Sequence, residues 1–112
     1  MATLNYGELV KQGLMAYATL VDRFPHPTYN LAVAFDDIHQ QYLVRKLGWK
    51  DNRRVNYTPL HVALRNGKIW IEEDMTEEGI ATYFLEQGVP REDIVLAFHP
   101  PFIRPLTEFA VV

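Results

Sequence analysis

His61, Glu72, Asp74 and Glu77 are the side chains in this sequence whose types and spacing come nearest to a reactive group. Asn66-Gly67 lies between two apolar runs and both residues accept positive φ, so the stretch predicts a two-residue type I′ hairpin turn. With that pair at the tip, Arg65 faces Lys68, Leu64 faces Ile69, Ala63 faces Trp70, Val62 faces Ile71 and His61 faces Glu72. A histidine held opposite a carboxylate can have its tautomer fixed for general-base work or for metal ligation. The plainer reading is a cross-strand ion pair beside a helix cap. Asp74 or Thr76 can cap a helix, Asp74 with Glu77 three residues on, and the acidic run from Glu72 to Glu78 suits the positive end of a helix dipole. The plainer reading is preferred, because no further member completes a known catalytic set.

Other chemistries are narrowed by what is missing. The chain has no Cys and no Ser, which removes thiolate metal sites, disulfides and the commonest nucleophiles; no glycine-rich phosphate loop is present. His26 lies between prolines, His39 in a polar turn and His99 before two more prolines, and none makes a ligand spacing with another. No catalytic residue, metal or cofactor is expected.

A second constellation is basic. Arg45, Lys46, Lys50, Arg53 and Arg54 supply five of the eleven Lys and Arg residues, with Trp49 inside the cluster. Phosphate contact beside an aromatic is one use of such a group. A solvated hairpin end, or pairing with the acidic Glu72 to Glu78 segment of a second copy, is the other. Net charge is −3 and the isoelectric point about 5.7, so DNA binding by so few cations would be weak and salt-sensitive, and protein contact is preferred.

These residues need a frame. Asn5 reads as an N-cap with Glu8 three residues on and Leu4 against Leu9 as a staple; Tyr6, Leu9, Val10, Gly13, Tyr17, Leu20 and Val21 then predict an amphipathic helix that ends before Phe24-Pro25-His26-Pro27. Leu31, Val33 and Phe35 alternate with Ala32 and Ala34 as a strand that turns at Asp36-Asp37. A second strand runs from about Gln41 to Trp49, with Leu43, Leu47 and Trp49 on one face and Tyr42 and Val44 on the other. After Lys50-Asp51-Asn52 a third strand runs from Arg53 to Leu64 with a bend or bulge at Pro59, placing the basic cluster at a hairpin tip. Leu60, Val62, Leu64, Ile69 and Ile71 share one apolar face, whereas His61, Ala63, Trp70 and Glu72 share the other, which is a second packing surface or a site. Ile80, Ala81, Phe84 and Leu85 form the stripe of a second helix closed by Gly88 and Pro90. Pro90 to Asp93 reads as a single turn, and Ile94 to Phe98 as a buried or edge strand. The last residues, Phe109-Ala110-Val111-Val112, form a sticky patch if exposed.

At 112 residues and 48% hydrophobic, the chain is expected to be a single α+β domain over residues 1–112: an antiparallel sheet of at least four strands packed with two helices. No apolar run approaches bilayer length and no leader pattern opens the chain, so a soluble, cytoplasmic protein is expected.

Several segments together resemble one family. Gly48-Trp49, Arg53-Arg54-Val55, His61 six residues before Gly67-Lys68-Ile69-Trp70-Ile71, Asp74, Thr76 to Ala81, Gly88-Val89-Pro90, Glu92 to His99 and Thr107 to Ala110 match, in order and spacing, the XisI family of cyanobacterial fdxN element excision controlling factors. The resemblance implies an accessory role in excising a DNA element during heterocyst differentiation, alongside the recombinase XisF and the companion XisH. It supplies no catalytic or ligand residues. The expectation is a non-enzymatic factor working through contacts with an XisH-like protein and the recombination machinery, and able to form a homo-oligomer. Direct DNA binding by the Arg45 to Arg54 hairpin is the alternative, and an enzyme using His61 and the acidic residues comes third.

Overall fold

The computed structural model describes residues 4–22 and 28–112. The expected Pro25-His26-Pro27 break lies outside them. Helix α1 spans Tyr6–Asp22, and Asn5 caps it: the Glu8 backbone N–H donates to Asn5 Oδ1 at 3.1 Å. Its buried stripe is Leu9, Val10, Gly13, Leu14 and Ala18. Leu20, expected on that stripe, is 56% exposed, and Leu14 takes the central place instead.

Five strands follow in sheet order β1-β2-β3-β4-β5: β1 Tyr29–Asp36, β2 Gln41–Lys50, β3 Arg53–Arg65, β4 Lys68–Asp74 and β5 Ile94–Leu96. The first four form an antiparallel meander. Asn66 and Gly67 have φ of 55° and 75°, as the type I′ turn requires, and Arg65 pairs with Lys68. Proline in the interior strand β3 removes a ladder donor. Its cost is met where it was expected: the register slips between Val44 and Lys46, so that Thr58 and Pro59 together oppose Arg45.

The sheet is mixed rather than wholly antiparallel. Helix α2, Ile80–Glu86, carries the chain back so that β5 joins β4 in parallel, Trp70 beside Val95. A parallel neighbour needs such a crossover. The helix ends in a Schellman motif, Val89 N–H donating to Phe84 O and Gly88 N–H to Leu85 O, both at 3.0 Å. The turn at Arg91–Asp93 is a single 3-10 turn.

Both helices cover one sheet face. Tyr42, Val44, Leu60, Val62, Ile69, Ile71 and Ile94 from the strands meet Leu9, Val10, Leu14, Ile80 and Phe84 from the helices in one core. The apolar face expected on β3 and β4 is therefore the main packing face. A smaller cluster, Ala63, Trp70 and Val95 with Ala97 and Ala110, lies on the opposite face. It is roofed by the C-terminal segment, in which Ala110 bridges to Val95 and its N–H donates to Ile94 O at 2.9 Å. Of the closing apolar residues, Phe109 packs against the main core and Ala110 against the smaller cluster, whereas Val111 and Val112 stay exposed, at 44% and 67%. Among the described residues no helix is long and apolar enough to cross a membrane.

Candidate functional site

The histidine cluster is rearranged by a bulge. Val62 pairs with Ile71 as expected, but His61 pairs with Glu73, which leaves Glu72 as the extra residue on β4. The expected His61–Glu72 pairing is thus displaced by one position. His61, Glu72 and Glu73 do line one open depression with Tyr57, Thr58 and Met75. Yet His61 Nε2 donates to Gln41 Oε1 at 2.7 Å, on β2, rather than to a carboxylate. Among the described residues no three His, Asp or Glu side chains are arranged to hold a metal ion.

Asp74 is committed to the backbone. Its Oδ2 accepts the Ile80 N–H at 2.7 Å, while Oδ1 accepts the Thr76 N–H at 2.9 Å and the Thr76 hydroxyl at 2.5 Å. Thr76 Oγ1 in turn accepts the Gly79 N–H at 3.0 Å. The helix therefore begins at Ile80, later than a cap at Asp74 would place it, and Asp74 satisfies its first donor across a loop. Glu77 stays exposed in that loop.

Trp70 is 5% exposed. Its Nε1–H donates to Arg65 O at 3.1 Å, with the Arg65 guanidinium 3.8 Å and that of Arg104 5.6 Å from the ring centroid. Arg104 also donates to the carbonyls of His99, Ala97 and Val111. Trp70 is thus the anchor of the C-terminal roof, as tryptophans with a satisfied N–H usually are. Arg104 carries no periodic signal that could have marked it beforehand.

The basic cluster does gather along the β2–β3 hairpin, but alternation divides it. Lys50 pairs with Arg53 and Trp49 with Arg54. Arg45, Trp49 and Arg54 lie on the outer face, opposite the helices, whereas Lys46, Lys50 and Arg53 lie on the helix side. Several of the cationic heads are already engaged. Arg45 donates to Thr58 Oγ1 at 2.8 Å and also to Asn56 Oδ1, Arg54 donates to Gly48 O at 3.2 Å and sits 5.4 Å from the Trp49 ring, and Lys46 Nζ lies 4.2 Å above the Tyr29 ring.

The outer face thus has two halves. Over β4 and β5 it is roofed. Over β1, β2 and β3 it presents Ala32, Ala34 and Asn56 exposed, Leu43, Leu47 and Arg45 half-buried, and Trp49 at 52% exposure. No element among the described residues covers this half. Its mixture of small, aliphatic, aromatic and cationic groups in one plane suits contact with a macromolecule.

On the helix side, Lys11, Asp37 and Tyr42 form a small network: Lys11 Nζ and the Tyr42 hydroxyl both donate to Asp37, at 2.9 and 2.8 Å. Lys11 and then Tyr42 hold the Asp37 carboxyl below its usual range. Burial, then the bond to Asp37, pushes Tyr42 up to about 12. Tyr6 is likewise pushed up to about 12, by burial and by its 2.6 Å bond to Asp93. Hydroxyls shifted in that direction are poor general bases at neutral pH, and they serve here as fixed donors.

Comparisons with known proteins follow the same line. The XisI protein family matches residues 1–111. A crystal structure of a XisI-like protein from Anabaena variabilis superposes with a TM-score of 0.88 at 32% identity, over 96% of each chain. The fdxN element excision controlling factor XisI from Anabaena variabilis gives 0.85 at 36% identity, again over 96% of each chain. No curated protein matches the sequence.

Proposed function

The chain belongs to the XisI family, and from that premise we propose that it controls excision of a DNA element by binding a protein partner rather than by catalysis. The observation that carries the reading is the open half of the outer sheet face, from Ala32 and Ala34 through Leu43 and Leu47 to Trp49. The same face is roofed over β4 and β5, so its bareness over β1 to β3 is local rather than a general feature of the sheet. The expected partner is an XisH-like protein of the excision machinery.

Two further observations support contact over chemistry and protein over DNA. The ionisable groups nearest to a reactive set are engaged elsewhere, His61 on Gln41 and Asp74 on the α2 loop. The six residues of the basic hairpin are split between two faces, and the heads of Arg45 and Arg54 are hydrogen-bonded within the sheet. A phosphate backbone would meet few free cations in one plane.

Co-expression with an XisH-like protein tests this. The expected result is a complex that co-purifies and is weakened at least tenfold by Leu47→Glu or Trp49→Ala, with folding unchanged by circular dichroism. Failure to co-purify at low salt, together with duplex DNA binding that falls steeply with salt and is lost in Arg53→Ala/Arg54→Ala, would replace it with direct DNA recognition.

A further inference from the structure

The two edges of the sheet are treated differently. β5 is three residues long and its outer side is occupied by Ala110. β1 is eight residues long and pairs with β2 in unbroken register from Tyr29 to Asp36, with no bulge. Between Asn30 and Phe35 it has no charge and no proline. Natural sheets guard their edges with lysines, prolines, bulges or short strands, because an unguarded edge recruits another strand. From Leu31 to Phe35 no strand among the described residues pairs with the outer side of β1.

The unpaired groups can be assigned. Trp49 N–H donates to Thr28 O at 3.0 Å, which makes Thr28 and Trp49 a hydrogen-bonded pair in the β1–β2 ladder. By alternation Asn30, Ala32 and Ala34 also direct their backbone groups to β2, and Leu31, Val33 and Phe35 direct theirs outward.

We propose that β1 is a homotypic edge: two copies of this chain join β1 to β1, antiparallel, into one continuous ten-stranded sheet. The strand is self-complementary. With Val33 opposite Val33 on the two-fold axis, Leu31 of each copy faces Phe35 of the other, so apolar side chains meet on the helix side, and Ala32 faces Ala34 on the outer side without a clash. No like charges meet in this alignment. The Asp36-Asp37 end of one strand, its carboxylates held by His39 and Lys11, lies beside the Tyr29 end of the other, where Lys46 neighbours Leu31 in the register and sits over Tyr29. The flank also has apolar surface to cover. Phe35 is 39% and Met15 47% exposed. Met15 stands one helical turn beyond Lys11, whose ammonium lies 5.9 Å from the Phe35 ring.

Sedimentation equilibrium of the purified chain tests the proposal. The expected mass is twice the 13.0 kDa of one chain. Val33→Pro deletes an outward donor without touching the β1–β2 ladder, and Phe35→Lys sets a cation against Leu31 of the other copy. Each should raise the dimer dissociation constant at least tenfold while far-ultraviolet circular dichroism stays native. Trp49→Ala, on the open outer face, should leave the dimer intact. A monomeric wild-type chain at 100 μM, a dimer unaffected by both edge variants, or dissociation by Trp49→Ala would each overturn it. Because the assay contains no other protein, its outcome is separate from that of the partner reading.

Discussion

Gly48 is the position at which one added carbon should do most harm. It lies opposite Tyr29 in the β1–β2 ladder with φ of +153°. A Cβ there would stand 2.2 Å from the Thr28 carbonyl oxygen and 2.5 Å from the Tyr29 Cα. Both are backbone atoms, so the contact cannot be relieved by a side-chain rotation, and β1 must move away from β2. For Gly48→Ala, backbone strain in this glycine-only region costs about 1–3 kcal/mol, overpacking about 1–3 kcal/mol, and the displaced Trp49 N–H to Thr28 O bond about 1 kcal/mol. A loss of about 3–7 kcal/mol is expected from these terms. For a chain of this length that lowers the melting temperature by about 12–28 °C, read by circular dichroism at 222 nm and checked by urea unfolding. Gly7→Ala is the control. Its Cβ would meet nothing nearer than Asn5 Oδ1 at 3.4 Å, in the first turn of α1, and should be neutral or stabilising by up to about 0.5 kcal/mol. A Gly48→Ala melting temperature within about 4 °C of wild type would refute the close-approach reasoning.

Other perturbations have defined outcomes. Asp74→Ala removes the acceptor of three hydrogen bonds at the α2 entrance and should destabilise by about 2–3 kcal/mol in urea unfolding, with the Ile80 amide losing its hydrogen-exchange protection first. Of the six tyrosines, Tyr6 and Tyr42 should ionise last in an absorbance titration at 295 nm, at about 12. Because their folded values lie above the ordinary 10, the stability they supply is complete below pH 10 and is lost between pH 10 and 12; Tyr6→Phe/Tyr42→Phe should flatten that limb. Asp37 shifts the other way, held low by Lys11 and Tyr42. Its contribution is present above the usual carboxylate range and lost as pH falls through the lowered value, and Asp37→Asn should reduce the acid sensitivity of unfolding.

Local chemistry was the most legible level of this sequence. The Asn66-Gly67 turn, the Asn5 cap, the bulge at Pro59 and the end of α2 at Gly88 each follow from residues whose backbone preferences act within a few positions. The strand from Ile94 was legible as apolar, but an apolar run does not encode its direction; the α2 crossover does. The His61 register failed because Glu72-Glu73 has no signature of a bulge. On α1, Leu14 and Leu20 are equally apolar, and only the position of α2 decides which is covered. The face of His61, Ala63, Trp70 and Glu72 reads from the sequence as a packing surface or a site; around Ala63 and Trp70 it is packed, and the Arg104 roof that packs it cannot be read from periodicity. Several residues that carry the family resemblance prove architectural: Gly48 at a close approach, Asp74 and Thr76 at the α2 entrance, Val89 in the helix stop and Asp93 on Tyr6.

The bond from Tyr6 to Asp93 spans 87 positions of chain, whereas the β1 to β4 meander is stitched between immediate neighbours. This difference sets an order of assembly. Hairpin zippering runs in microseconds, but the parallel β4–β5 pairing must wait for α2, and Tyr6 finds its acceptor only after that. The contact order predicts the meander as the early nucleus and the closure of α1 onto the Arg91–Asp93 turn as the final step; on that prediction Tyr6→Phe should hasten unfolding in stopped-flow kinetics while leaving the refolding rate almost untouched.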